Sequence, residues 1–268
     1  MDRRLTPATA RVAHVSLRGA IDAPAWTEGE PARIAAPLTD LTREDGRRDR
    51  QLLFGADVTV IDRHAGRAFV QAAEDGYCGW VAQTALTQDL PPNTHRISAP
   101  ASHIYPAPDM KTQEIAALPL NARLAVLAVE GRFARIAQGF VPVQHISDAP
   151  DRDPASVAES LLGTPYLWGG NSRGGIDCSG LVQAARLACA LPCPGDSDLQ
   201  QAMGAPVQGA FRRGDLLFWP GHVAMALDAR RMIHATAFAM AVIVEDIQAA
   251  IARIEASGDG PFLGARRS

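Results

Sequence analysis

At 268 residues the chain is long enough for two or three domains around separate cores. Its 47% apolar share is that of a globular protein and excludes wholesale disorder. The balance of 26 basic against 29 acidic residues leaves a net charge of −3, and the basic residues gather on no single stretch, so no nucleic-acid partner is expected.

Residues 1–30, interrupted by Pro7 and Pro24, show little periodicity and are read as an arm lying over other domains. Their first seven residues lack the ~7–15-residue apolar core of a signal peptide. No later run approaches the ~20 apolar residues of a membrane span. A cytoplasmic protein without a membrane partner is therefore expected. In that compartment the four cysteines are read as free thiols rather than two disulfides. Cys189 and Cys193, four apart, have neither a second cysteine pair nor a nearby histidine, so no metal or other cofactor is expected.

From 31 to 88 short β-rich pieces alternate with turn residues, among them 51–61, 67–72 and, after an Asp75-Gly76 turn signal, Tyr77 to Val81. This texture predicts a small β-barrel. Residues 95–148 repeat the layout, with Gly131-Arg132-Phe133-Ala134-Arg135-Ile136 and Gly139-Phe140-Val141 standing where 67–72 and 79–81 stood. The two blocks form a degenerate tandem repeat of about 60 residues. A polar, proline-bearing linker covers 148–154, and a last domain is placed at 152–268. There Asp153 and Pro154 predict the start of a helix stopped by Gly163. A second helix begins near Cys178 and ends before Pro192. Strands are predicted at 215–219, 222–228, 231–237 and 241–245, then a closing helix over roughly 246–256.

The chemistry centres on Gly175-Ile176-Asp177-Cys178-Ser179-Gly180. A thiol at a glycine-rich loop-to-helix junction meets the partial positive charge of unpaired backbone N–H groups, which is expected to lower its pKa toward the nucleophilic thiolate. An imidazole beside it completes the activation. His222 and His234 are the candidates, and each is six residues from Asp228. A hairpin centred on Asp228 sets them face to face on one side of the sheet, ~5 Å apart at Cβ, provided the loop holds an odd number of residues, three or five. The plainer alternatives are satisfied strand histidines, or a three-ligand metal site that lacks a second shell.

These segments resemble the NlpC/P60 papain-like cysteine peptidases. The likeness rests on 164–170 (Thr-Pro-Tyr-Leu-Trp-Gly-Gly), 177–182 (Asp-Cys-Ser-Gly-Leu-Val), 214–218, 221–225 and 232–235, in the family's order. Residues 31–88 and, more loosely, 95–148 resemble bacterial SH3 modules. The resemblance implies an α+β chain, with a papain-like catalytic domain preceded by two small SH3-like β-barrels. It implies Cys178 as nucleophile, His222 as general base then acid, and His234 as the group orienting the His222 ring. Tyr166, with the Cys178 backbone N–H, would stabilise the oxyanion. Trp168 would line the substrate site, and Asp177 and Ser179 would hold a substrate amine; packing is the plain alternative for Tyr166 and Trp168. Members carrying such modules resemble γ-D-glutamyl-L-diamino acid endopeptidases, which cut peptidoglycan stem peptides bearing a free N-terminal L-alanine. The first module walls the cleft in such enzymes, which points to Tyr77, with an exposed strand position as the alternative, and to an acidic partner such as Glu44. Stem peptides or muropeptides would then be the partners, and cell-wall recycling the process. An amidase or acyltransferase of the same superfamily, or a silent peptide-binding module, are the competing readings.

Overall fold

A computed structural model describes residues 1–89 and 91–268. The chain divides into two compact units, Met1–Ala149 and Pro150–Ser268.

In the first unit, β1 (Glu30–Ile34), β2 (Leu38–Thr42), β3 (Arg48–Leu53), β4 (Asp57–His64), β5 (Arg67–Ala72), β6 (Cys78–Ala82) and β7 (Leu86–Thr87) form one antiparallel sheet in the order β3-β2-β6-β5-β4-β1-β7. Alternation along the strands sorts their side chains. Val58, Val60, Val70 and Val81 turn into a core with Ile34 and Leu41, while Ile61, Phe69, Cys78 and Trp80 cluster apart from it. The N-terminal arm covers that second cluster. Val12 packs on it, Arg11 pairs with Asp62, and Arg3 pairs with Asp49.

The second block has three small sheets rather than one, with a meander of Ala128–Glu130, Phe133–Ile136 and Gly139–Pro142 matching the β4-β5-β6 meander upstream. Its core holds Ile97, Ile104, Leu118, Leu124, Ile136 and Val141 together with Phe54 of the first block. The join explains a glycine: Gly55 has φ +75°, and a Cβ there would overlap the Arg123 backbone carbonyl.

The second unit carries α1 (Pro154–Ser160), α2 (Cys178–Ala188), α3 (Ser197–Gln200) and α4 (Ile247–Ser257) with a six-stranded sheet. Its strands are β8 (Ala205–Pro206), β9 (Leu216–Trp219), β10 (His222–Ala226), β11 (Arg231–Thr236), β12 (Ala241–Asp246) and β13 (Gly264–Arg267), in the order β8-β13-β9-β10-β11-β12. Asp153 caps α1 through the Ala155 and Ser156 N–H groups, with Pro154 as its first residue. On one face of the sheet Leu217, Trp219, Ala224, Ala226 and Met232 meet Ile247, Ala250 and Ile254 of α4. The helix α2 packs across β10 and β11, which brings the start of that helix to the start of β10. No helix among the described residues is long and apolar enough to cross a membrane.

Candidate active site

The site is built around the N-terminus of α2. Asp177 is the N-cap: Oδ1 accepts from the Gly180 N–H (2.7 Å) and the Ser179 hydroxyl (3.1 Å), and Oδ2 accepts from the Gly169 N–H (2.8 Å). One carboxylate thus fixes both the helix start and the Trp168-Gly169-Gly170 loop. Burial pushes its pKa up, against the hydrogen bonds of Gly180, Gly169 and Ser179, and the like charge of Asp196 adds to the rise. Ser179 is buried, its hydroxyl committed to Asp177.

Cys178, the first residue of the helix, is 7% exposed, with Sγ 3.9 Å from the Gly221 carbonyl oxygen. The expected lowering of its pKa does not prevail. Burial, then the Asp177 charge, push the thiol up to about 12, although the Val223, Ser179 and Cys178 backbone N–H groups pull the other way. Desolvation of a thiolate costs more here than the helix terminus returns, so the resting Cys178 is a neutral thiol.

His222 and His234 are hydrogen-bonded, Nε2 to Nδ1, at 2.9 Å. The hairpin pairs Met225 with Ile233 and Ala226 with Met232, so its centre is Ala229 rather than Asp228. Carried along the strands, this register sets His234 opposite Ala224 and makes the two histidines diagonal neighbours. The odd loop keeps them on one face, and the ~7–8 Å diagonal spacing is within imidazole reach. The displacement follows from the loop chemistry, since Asp228 bonds forward to the Arg230 and Arg231 N–H groups and so opens the turn instead of sitting at its apex.

His234 is fully buried, and its other nitrogen, Nε2, lies 3.0 Å from Glu245 Oε2 on β12. The α4 residue Arg253 grips Glu245 with two hydrogen bonds, at 3.0 and 2.8 Å. Glu245 and Arg253 were not singled out from the sequence. Their only trace there is parity, because residues 243 and 245 of a strand paired with β11 share the face of His234.

Burial lowers the pKa of both histidines, and that of His222 falls to about 3, with the charges of His234 and Arg253 adding to the drop. An unfolded imidazole takes its proton near pH 6.5, whereas folded His222 stays neutral down to about pH 3. Its contribution is whole above pH 6.5 and lost as pH falls toward 3, at ~1.4 kcal/mol per pH unit where the two states differ by one proton. Urea unfolding followed from pH 7 to 4 is expected to show this slope reduced in a His222→Gln variant; identical slopes would contradict the buried, neutral imidazole.

Tyr166 sits between α2 and the β12 edge, its N–H donating to the Met240 carbonyl at 2.9 Å. Burial, then the charges of Cys178 and Asp177, raise its phenol pKa, so it stays a protonated donor. Trp168 is 67% exposed, which removes core packing as its role. Tyr77 belongs to the other unit. Its ring is 1% exposed, in the core of the first barrel with the Arg50 guanidinium 5.3 Å from the ring centre, so it is not an exposed strand residue. Glu44 lies on that unit's surface, beside Arg67. Among the described residues, no three His, Cys, Asp or Glu side chains are grouped to hold a metal ion.

Residues 163–255 match the NlpC/P60 family, and residues 40–86 match the bacterial dipeptidyl-peptidase SH3 domain. A γ-D-glutamyl-L-lysine dipeptidyl-peptidase of Bacillus subtilis is 32% identical over 211 residues, covering 69% of this chain and 71% of that protein. The chain belongs to the NlpC/P60 family. A γ-D-glutamyl-L-lysine dipeptidyl-peptidase of Bacillus cereus is 27% identical over 222 residues, covering 69% of this chain and 66% of the relative. The crystal structure of an NlpC/P60 family protein from Bacillus cereus superposes with a TM-score of 0.74 at 22% identity, covering 89% of this chain and 99% of that one, which shows the shared fold. The NlpC/P60 assignment makes the protein a peptidase with an SH3-like N-terminal part, an α+β architecture.

Proposed function

We propose that this NlpC/P60 peptidase uses Cys178, His222 and His234 to hydrolyse the bond between γ-D-glutamate and a diamino acid in peptidoglycan stem peptides. The observations carrying the proposal are a buried thiol at a helix start, its Sγ 3.9 Å from the Gly221 carbonyl oxygen, and the histidine pair that begins at the next residue, His222. His222 takes the Cys178 proton as Sγ attacks the carbonyl carbon, and the Cys178 N–H and the Tyr166 hydroxyl receive the oxyanion. His222 returns the proton to the leaving amine. It then draws a proton from the water that cleaves the thioester and frees Sγ. Two neutral partners form their ion pair only during the reaction, in keeping with burial that disfavours either charge alone.

The Bacillus relatives, γ-D-glutamyl-L-lysine dipeptidyl-peptidases, support the bond, with L-lysine as the diamino acid of those proteins. Asp177 supports the free N-terminus. A buried carboxylate whose ionised form is disfavoured gains from an incoming ammonium, which L-alanine at the chain end supplies. Ser179 and Trp168 are assigned to the same substrate end. The process served is recycling of trimmed peptides in the cytoplasm, which cell fractionation checks independently; a protein found only with the wall would end that part of the reading.

Incubation with L-Ala-γ-D-Glu-L-Lys, its diaminopimelate analogue and their N-acetylated forms tests the proposal. L-Ala-γ-D-Glu is expected from the free-amine peptides, with turnover at least ~10-fold lower after acetylation, the scale of a lost charge-assisted hydrogen bond. Failure to release that dipeptide from either free peptide would reject the assignment.

A further inference from the structure

Beyond the three residues of the proposed reaction, the chain of hydrogen bonds continues through two groups given no part in it. His222 Nε2 meets His234 Nδ1, His234 Nε2 meets Glu245 Oε2, and Glu245 is held in a fork by Arg253. Each neutral imidazole has one N–H to give, so the protons along such a chain are correlated. Their direction is set at the end where one partner can only accept.

We propose that Glu245, locked in place by Arg253, is a positioning residue that fixes the tautomers of both histidines and leaves His222 Nδ1 bare to take the Cys178 proton. The logic runs inward from the carboxylate. Ionised Glu245 accepts only, so His234 carries its proton on Nε2. Its Nδ1 must then accept, so His222 donates from Nε2. Nδ1 is the nitrogen that remains, and it carries a lone pair. When the thiol proton moves to Nδ1, His222 becomes an imidazolium and Sγ a thiolate. The Glu245 carboxylate stabilises that cation through His234 without itself taking a proton.

Glu245 has the state this role requires. Burial acts against its charge, but the Arg253 hydrogen bonds, followed by the charges of His234 and Arg253, outweigh it and lower its pKa below the usual carboxylate value. The charged and titratable groups acting on the pair come from every element around it: Glu245 from β12, Arg253 from α4 and Asp259 beyond α4. Arg253 also lies over the Phe238 ring, 4.1 Å from its centre, in the turn between β11 and β12. That contact holds the guanidinium against the turn while its fork holds the carboxylate.

The inference rests on the proposed roles of Cys178 and His222, but its test needs no peptide. In ¹⁵N-histidine-labelled protein, His222 and His234 are both expected as Nε2–H tautomers. In Glu245→Gln the amide can donate to His234 Nε2, which turns the chain around and puts a proton on His222 Nδ1. A mixture of tautomers is expected, with a ~10- to 100-fold slower alkylation of Cys178 by iodoacetamide at pH 7, followed on the Cys178 peptide by mass spectrometry. A merely structural tie between β12 and α4 would lower Tm while leaving tautomers and alkylation unchanged, and that result in the variant would overturn the proposal. If Glu245→Gln does not fold, the wild-type spectrum alone decides, because an Nδ1–H form of His222 refutes the arrangement. Normal alkylation behaviour in a protein that cuts no stem peptide would remove the substrate reading and leave this one standing.

Discussion

Cys178→Ala is expected to lower stem-peptide cleavage by at least ~10⁴-fold while the protein stays folded. In the proposed reaction Sγ forms the covalent intermediate, and no neighbouring group replaces it. The other cysteines do not compensate, since Cys78 lies in the first unit with its thiol pushed up to about 12 by burial, Cys189 caps the opposite end of α2, and Cys193 is buried. Removing one buried sulfur leaves a small void, costing ~1 kcal/mol. Release of L-Ala-γ-D-Glu, followed by chromatography beside a thermal melt, separates the two effects. Equal turnover in the variant would remove Cys178 from the mechanism.

Gly180→Ala is expected to cost ~2–4 kcal/mol of stability through a single methyl group. A Cβ at 180 would lie 2.5 Å from the Gly170 carbonyl oxygen, 3.1 Å from Asp177 Oδ1 and 3.2 Å from Asn171 Nδ2. The nearest of these is backbone and cannot swing away, so residues 169–171 must lift from the helix start. Asp177 then cannot hold the Gly169 N–H and the Gly180 N–H together. Overpacking of ~1–3 kcal/mol adds to a cap loss of ~1 kcal/mol. On a unit of this size a drop of roughly 5–15 °C in Tm should follow. A melt unchanged within about 2 °C would show that the loop approaches the helix less closely than the structure has it.

Much of the site was legible because its determinants are local. The Asp177-Cys178-Ser179-Gly180 segment reads directly as a capped helix start, and the glycine at 180 is required by a backbone passing over it. The shared face of His222 and His234 followed from strand parity. What parity could not supply was the register. The Asp228 side chain moved the centre of the hairpin to Ala229, and with it the histidines from opposed to diagonal. Glu245 was invisible for the same reason. A carboxylate at the end of a strand declares nothing until pairing with β11 puts it on the His234 face and α4 brings Arg253 over it. The strand Gly264–Arg267 carried no pattern of its own, and it exists because β9 offers it an edge at Leu216–Phe218.

By itself the sequence determined where the helix of Cys178 begins, which residues can face one another across the hairpin, and that the upstream part is β-rich, because each depends on a few neighbouring residues or on alternation along one strand. Tertiary structure decided the protonation of the thiol, the register of the histidines and the identity of the carboxylate behind them. Those depend on burial and on pairing between distant segments. Desolvation is a property of everything packed around a group, and no short stretch of chain contains it.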